Sequence, residues 1–196
     1  MEAFESRLQS FTKARRVKQS TAKRTASLKW PHPAHFVATP DTLTEAGFFF
    51  NPSWDARDNV ECFCCGKCLA GWEENDDPFA LHWDRCRDTC PWAAVRCGLS
   101  DDVDRKGNFV FKDSSRQPEG KPMEKARLAT FRLNNPWPHD RVKGHGANST
   151  KMAKAGFAFT PQIPGDDTGT CLYCRVSLNG WDEDDDPLAS QTSKKV

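Results

Sequence analysis

Residues 60–90 gather six of the chain's nine cysteines and one histidine, in V-E-C-F-C-C-G-K-C-L-A-G-W-E-E-N-D-D-P-F-A-L-H-W-D-R-C-R-D-T-C. Two residues separate Cys62 from Cys65, His82 follows Cys65 by seventeen positions, and Cys86 and Cys90 come after it. Thiolates and one imidazole at such spacings are the donors of a closed, tetrahedral structural zinc site. Four protein donors leave the metal no open position for water, so this chemistry staples a fold and does not hydrolyse a substrate. Glu73, Glu74, Asp76 and Asp77 read as an acidic loop that caps a helix and attracts a positive group, not as an acid–base pair. A non-enzymatic recognition module is therefore expected.

An internal repeat sorts the cysteines. R-L-Q-S-F at 7–11 returns as R-L-A-T-F at 127–131, and A-G-F-F-F-N-P at 46–52 as A-G-F-A-F-T-P at 155–161. Trp30 and Pro31 return as Trp137 and Pro138, and G-W-E-E-N-D-D-P as G-W-D-E-D-D-D-P. Cys62 and Cys65 return as Cys171 and Cys174 at an offset of 109, whereas Cys64 becomes Tyr173 and Cys68 becomes Ser177. The competing pair Cys65 and Cys68 is thus not kept. His82 is the third donor. For the fourth, Cys86 lies one helical turn from His82, and Cys90 lies eight residues from it. The same offset carries His82 onto Gln191, a poor zinc ligand. One Zn2+ per chain is expected, with Cys171 and Cys174 a degenerate second site in a truncated, only partly folded copy.

The elements that must position these donors are short. Phe4, Leu8 and Phe11 recur at helical spacing. Thr39, Pro40 and Gly47 supply a cap, a first-turn proline and a left-handed stop for a second helix. Phe48, Phe49 and Phe50 start a strand, residues 60–63 form another, and Gly66 and Lys67 turn the chain back through Leu69 to Trp72. Asp77 and Pro78 open a helix that carries His82 and Cys86, and Cys90, Pro91 and Trp92 stop or kink it. The fold class is a small zinc-stabilised α+β unit, a three-stranded antiparallel sheet flanked by short helices, in tandem with an incomplete second copy. Residues 5–97 form the first module with a basic insert at 12–29, 98–124 a linker, and 125–190 the second module.

The totals agree. The 196 residues are 37% hydrophobic with mean hydropathy −0.73, too polar for a large core. No run of about 18 apolar residues spans a membrane, and M-E-A-F-E-S-R-L-Q-S-F lacks a signal peptide's apolar segment. An intracellular, reducing setting follows, where clustered cysteines bind metal rather than pair. The formal net charge of +1 hides segregation, because residues 12–29 hold seven Lys/Arg and no acid. That run reads as a solvated loop, a nuclear-import or nucleic-acid patch, or a phosphosite region through Ser20, Thr21, Thr25 and Ser27.

Together, R-L-x-[ST]-F, W-P, the A-G-F helix exit, C-x2-C, G-W-x-x-x-D-D-P, the histidine and a last cysteine followed by one residue and an aromatic resemble the baculoviral inhibitor-of-apoptosis repeat (BIR) module. The resemblance covers residues 5–97 and, in part, 125–190. It implies Cys90 as the fourth zinc ligand, although seven residues here separate it from His82 where the family usually has six; Cys86 is the runner-up. It also implies a groove for N-terminal peptides, lined here by Lys67, Leu69, Trp72, Asp76, Leu81 and Arg85. Tandem modules with a basic insert in the first are similar to fungal survivin-like proteins. That implies a nuclear and cytoplasmic adaptor at chromosomes or spindle, partnering chromosomal passenger proteins and a phosphorylated histone H3 tail. In that branch's groove Lys67 and Asp76 match, Ala70 replaces an acid and Arg85 replaces a phosphate-facing histidine. The alternative is an apoptosis regulator binding caspase-related proteases or their antagonists.

Overall fold

A computed structural model describes residues 1–19, 24–133 and 137–192. Helix α1 (Phe4–Thr12) has no side-chain cap. Its first amides, on Phe4 and Glu5, instead donate to the Pro161 and Gln162 carbonyls of the second copy at 2.8 and 2.9 Å. This satisfies groups that every helix start leaves open and ties the two copies together. The motif R-L-x-[ST]-F then acquires a physical meaning. Arg7 Nε donates to the Thr44 carbonyl at 3.2 Å, and Ser10 Oγ accepts from the Phe50 amide at 2.8 Å. Arg127 and Thr130 repeat both bonds, to the Ala153 carbonyl and from the Phe159 amide, each at 2.9 Å.

The described residues of the basic insert form two paired strands where a solvated loop was one expectation. Strands β1 (Arg15–Lys18) and β2 (Thr25–Leu28) pair antiparallel with Arg15 opposite Leu28. Val17 is buried, and Leu28 packs on the first core, which supplies the apolar face a hairpin needs. Ser20, Thr21 and Lys23 lie outside the described residues.

Helix α2 (Pro40–Glu45) begins with the expected cap, a reciprocal box between Thr39 and Thr42, and ends at Gly47 with φ +101°. Strands β3 (Phe48–Phe50), β4 (Val60–Cys62) and β5 (Cys68–Leu69) form an antiparallel sheet in chain order. Asp77 caps helix α3 (Pro78–Cys86) through the Phe79 amide. Helix α3 stops at Cys86, in keeping with the expected stop, and Cys90 is in addition the N-cap of a further helix, α4 (Pro91–Arg96), with Pro91 in its first turn. Two 3-10 turns, Cys97–Ser100 and Ser114–Arg116, give the connecting segment structure. Arg116 there pairs with Asp102 at 2.6 Å, both side chains buried, and also donates to the Ala94 carbonyl.

Helix α5 (Lys121–Thr130) packs on α4 and opens the second copy. Helix α6 (Ser149–Lys154), strands β6 (Ala158–Phe159), β7 (Gly169–Thr170) and β8 (Ser177–Leu178), and helix α7 (Pro187–Thr192) follow. Rather than partly folded, the described part of this copy closes the same three-stranded sheet over Phe131, Trp137, Met152 and Phe157, all fully buried. Among the described residues no helix is long and apolar enough to cross a membrane.

Candidate metal centre and the adjoining strand edge

Strand β4 delivers Cys62 into a tight turn. The Gly66 amide donates to the Cys62 carbonyl and the Cys62 amide to the Lys67 carbonyl, each at 2.9 Å, with Gly66 at φ +70°. That positive φ is the reason for glycine at this step, and the turn folds Cys65 back beside Cys62. Helix α3 presents His82, which is fully buried. Its Nδ1 lies 2.7 Å from the Ala46 carbonyl, which can only accept, so Nδ1 carries the proton and Nε2 offers its lone pair to the sulfurs. Cys90 arrives from the start of α4, where the Ala93 amide donates to its Sγ.

The four donor atoms, Sγ of Cys62, Cys65 and Cys90 and Nε2 of His82, all lie within 4.8 Å of one another. Cys62 and Cys90 Sγ are 3.9 Å apart, and Cys65 Sγ is 3.8 Å from His82 Nε2. A tetrahedral zinc with bonds of about 2.3 Å to sulfur and 2.0–2.1 Å to nitrogen has edges of about 3.8 and 3.6 Å. The cluster is therefore of a size to coordinate a metal. Among the described residues it is the one such group. Cys86 is buried in the first core and stands outside it.

The three sulfurs also perturb one another. Hydrogen bonds from Cys62 and Cys90 pull the Cys65 thiol far down, while the same exchange pushes Cys62 and Cys90 up. A bound dication would favour the thiolate form of all three. Arg7 sits nearby with its guanidinium 4.4 Å from the Phe63 ring centre, and burial lowers its pKa to about 10, against the pull of Cys62. It stays cationic at neutral pH.

A second arrangement escaped sequence reasoning. His32 Nε2 bonds Asp58 Oδ2 at 2.9 Å, and the Asp58 carboxylate accepts from the Gly71 and Trp72 amides at 3.0 and 2.9 Å. This clamp holds the G-W corner that leads out of β5. Burial pushes the Asp58 carboxyl up, but the bonds from Gly71, His32 and Trp72 outweigh it and hold the group below its usual range. His139, Asp167, Gly180 and Trp181 build the same clamp, the His–Asp contact being 2.8 Å. Its signal was available, because W-P-H occurs at both 30–32 and 137–139 and Asp167 lies 109 residues after Asp58.

At the donors the second copy diverges. Gln191 occupies the place that the offset assigned it, and its Nε2 donates to Cys171 Sγ at 3.1 Å. Cys171 is buried and Cys174 half-buried.

The residues expected to line a peptide groove divide into two groups. Lys67 and Arg85 are exposed, while Asp76 and Leu81 are half-buried, with Asp76 Oδ2 accepting from the Glu73 amide. Leu69 and Trp72 belong to the core instead, because β5 alternates and turns Leu69 inward, and Trp72 packs edge-on against Phe48 with ring centres 6.2 Å apart. Strand β5 pairs with β4 alone, so among the described residues its outer edge carries no strand.

Fold and cluster define a small cysteine–histidine α+β module present twice, with its donor set complete once. The sequence model described as "BIR: Inhibitor of Apoptosis domain" matches residues 7–94 and 127–195. The chain belongs to this family, and its two repeats are binding modules, not enzymes. It is similar to Chromosomal passenger complex protein bir1 of Schizosaccharomyces pombe, 31% identical over 173 residues and 86% of this chain. Baculoviral IAP repeat-containing protein 7 of Xenopus tropicalis is 31% identical over 181 residues, again 86% of this chain. Baculoviral IAP repeat-containing protein 1 of Homo sapiens is 30% identical over 198 residues and 90% of this chain. The matches cover 16%, 45% and 13% of those relatives' own lengths.

Proposed function

We propose that the first module binds one Zn2+ through Cys62, Cys65, His82 and Cys90, and that the metal holds in shape an edge-strand site for the N-terminal segment of a protein partner. The observation that carries this reading is the open edge of β5, beside an acidic loop and an exposed lysine, on the module with a full donor set. A peptide added as a further strand bonds through its backbone, and alternate side chains find pockets. Asp76 with Glu73 and Glu74 meets the terminal ammonium. Lys67 flanks the strand, Leu81 supplies apolar contact, and Arg85 offers a guanidinium fork to a phosphate. Leu69 and Trp72 shape the site from beneath.

The partner that fits best is a histone H3 N-terminal tail phosphorylated at threonine, which makes the chain a survivin-like adaptor in chromosome segregation, working in the nucleus with chromosomal passenger proteins. Alignment over 86% of the chain with a protein named for the chromosomal passenger complex supports this. A second reading, apoptosis regulation through protease antagonists, draws support from the two relatives named as IAP repeat-containing proteins. Calorimetric titration separates them. The H3 tail, with and without threonine phosphate, and an Ala-starting antagonist-like peptide are each added to the zinc-loaded chain. Phosphate-dependent H3 binding that weakens at least tenfold in Arg85→Ala is expected; tight binding to the Ala-starting peptide alone overturns the chromatin reading.

A further inference from the structure

The basic hairpin takes no part in the metal centre or the strand edge, and the second copy lacks it. Phe11 and Trp30 are separated by 18 residues, whereas Phe131 and Trp137 are separated by five, yet both pairs pack the same way. The module folds without this segment, so its charge has another cause. Residues 12–29 hold seven cations and no acid, and the remainder of the chain is net negative. Among the described residues none of Lys13, Arg15, Arg16, Lys18, Arg24 and Lys29 forms an ion pair.

Strand register sorts the hairpin into two faces. Val17 is buried opposite Ala26, and Arg15 and Leu28 are half-buried, all on the side turned to the module. Arg16, Lys18, Thr25 and Ser27 are exposed on the other, Arg16 opposite Ser27 and Lys18 opposite Thr25. Exposed Lys13 and Lys29 flank its base, and Arg24, also exposed, precedes β2. We infer that this outer face is a binding surface for double-stranded DNA, read through its phosphates and independent of the peptide site. Paired strands about 4.8 Å apart make a ribbon that the roughly 12 Å major groove admits. Arg16 and Lys18, about 7 Å apart along one strand, reach successive phosphates, and the Thr25 and Ser27 hydroxyls donate between them. The guanidinium fork and neutral hydroxyl donors suit phosphate oxygens on a regular rod better than scattered carboxylates of an acidic protein.

Fluorescence anisotropy on the full chain with a 20-base-pair duplex of arbitrary sequence tests this. Five exposed cations give a slope of about −4.5 in log K against log salt, a loss of roughly 500-fold between 50 and 200 mM. The variant Arg16→Gln, Lys18→Gln, Arg24→Gln changes only exposed side chains, and its slope should flatten to about −2, with at least tenfold weaker binding at 50 mM salt. A 20-residue poly-glutamate should bind at least tenfold more weakly than the duplex. No duplex binding by the unaltered chain at 50 mM salt overturns the inference. Equal affinity in the triple variant overturns it too, as does poly-glutamate binding as tight as duplex, which would assign the face to an acidic protein.

Discussion

Replacing Cys90 by Ser and, separately, Cys86 by Ser tests the proposed zinc site most directly. Both cysteines are buried, both follow His82 closely, and neither substitution changes side-chain size by much. Only Cys90 falls in the four-donor group, 3.9 Å from Cys62. A structural zinc contributes roughly 10–16 kcal/mol of apparent binding free energy at neutral pH. Shared evenly over four donors, that assigns about 2.5–4 kcal/mol to each, or roughly a 100- to 1,000-fold loss of affinity when one goes. Cys90→Ser should therefore release its metal to a chelator at concentrations that leave the unaltered chain loaded. Cys86→Ser should keep its metal and lose stability by about 1–2 kcal/mol, because a hydroxyl replaces a thiol in an apolar site. Elemental analysis after dialysis against a graded chelator, with urea unfolding in parallel, measures both. If Cys86→Ser gives up the metal while Cys90→Ser retains it, the four-donor assignment is wrong. Two zinc equivalents in the unaltered chain would refute the reading of Gln191.

Three further outcomes follow from the geometry. Asp58 has its native pKa held below the ordinary carboxylate value, so its contribution to stability is complete above about pH 4 and drains away as pH falls through the native pKa. Asp58→Asn should flatten that acid limb in urea midpoints taken from pH 5 to 2.5, and an unchanged limb would count against the clamp. Gly47→Ala combines a φ of +101° with a Cβ 2.5 Å from Trp92 Cδ1, whereas Gly71, at φ +77°, has nothing within 4 Å. The first should cost about 2–4 kcal/mol and the second about 1 kcal/mol; equal losses in denaturant melts would contradict the packing at Trp92. Gln191→His places an imidazole beside Cys171, where the glutamine now lies 3.1 Å from the sulfur. Titration with Co2+ should then show a second, weaker thiolate-bound equivalent absorbing in the visible, and a variant that stays at one equivalent argues against the correspondence with His82.

The pair Cys62 and Cys65 was legible because the repeat keeps it, whereas Cys90 came from the family resemblance alone. Thr39 before Pro40 and Asp77 before Pro78 open helices by cap chemistry that any window of four residues displays. Cys90 before Pro91 obeys the same grammar, yet a thiol is an unusual cap, so the sequence shows the end of α3 without the start of α4. The hairpin hid for a different reason. R-R-V-K and T-A-S-L carry one strongly apolar residue each, and their alternation acquires meaning only when Val17 and Leu28 meet the core. Asp102 and Arg116 look solvated in a polar stretch, and nothing nearby announces that fourteen residues apart they will bury one another. The same holds for His32 and Asp58, although comparison of the copies would have exposed that pair.

The two copies separate what the fold requires from what the metal adds. Arg7 and Arg127, Ser10 and Thr130, and the two His–Asp clamps tie helix, sheet and corner in the same way in each. The donors differ, and there the second copy has one hydrogen bond from Gln191 to Cys171 where the first gathers four metal-capable side chains. One such bond is worth about 1 kcal/mol, far less than a structural metal, so the second copy needs support from elsewhere. The interface supplies it. Helix α5 rests on α4, and the carbonyls of Pro161 and Gln162 receive the open amides of α1. Since α4 begins at Cys90, a metal bound in the first module would fix the surface on which the second is built, and stripping that metal should loosen both copies in a single cooperative step.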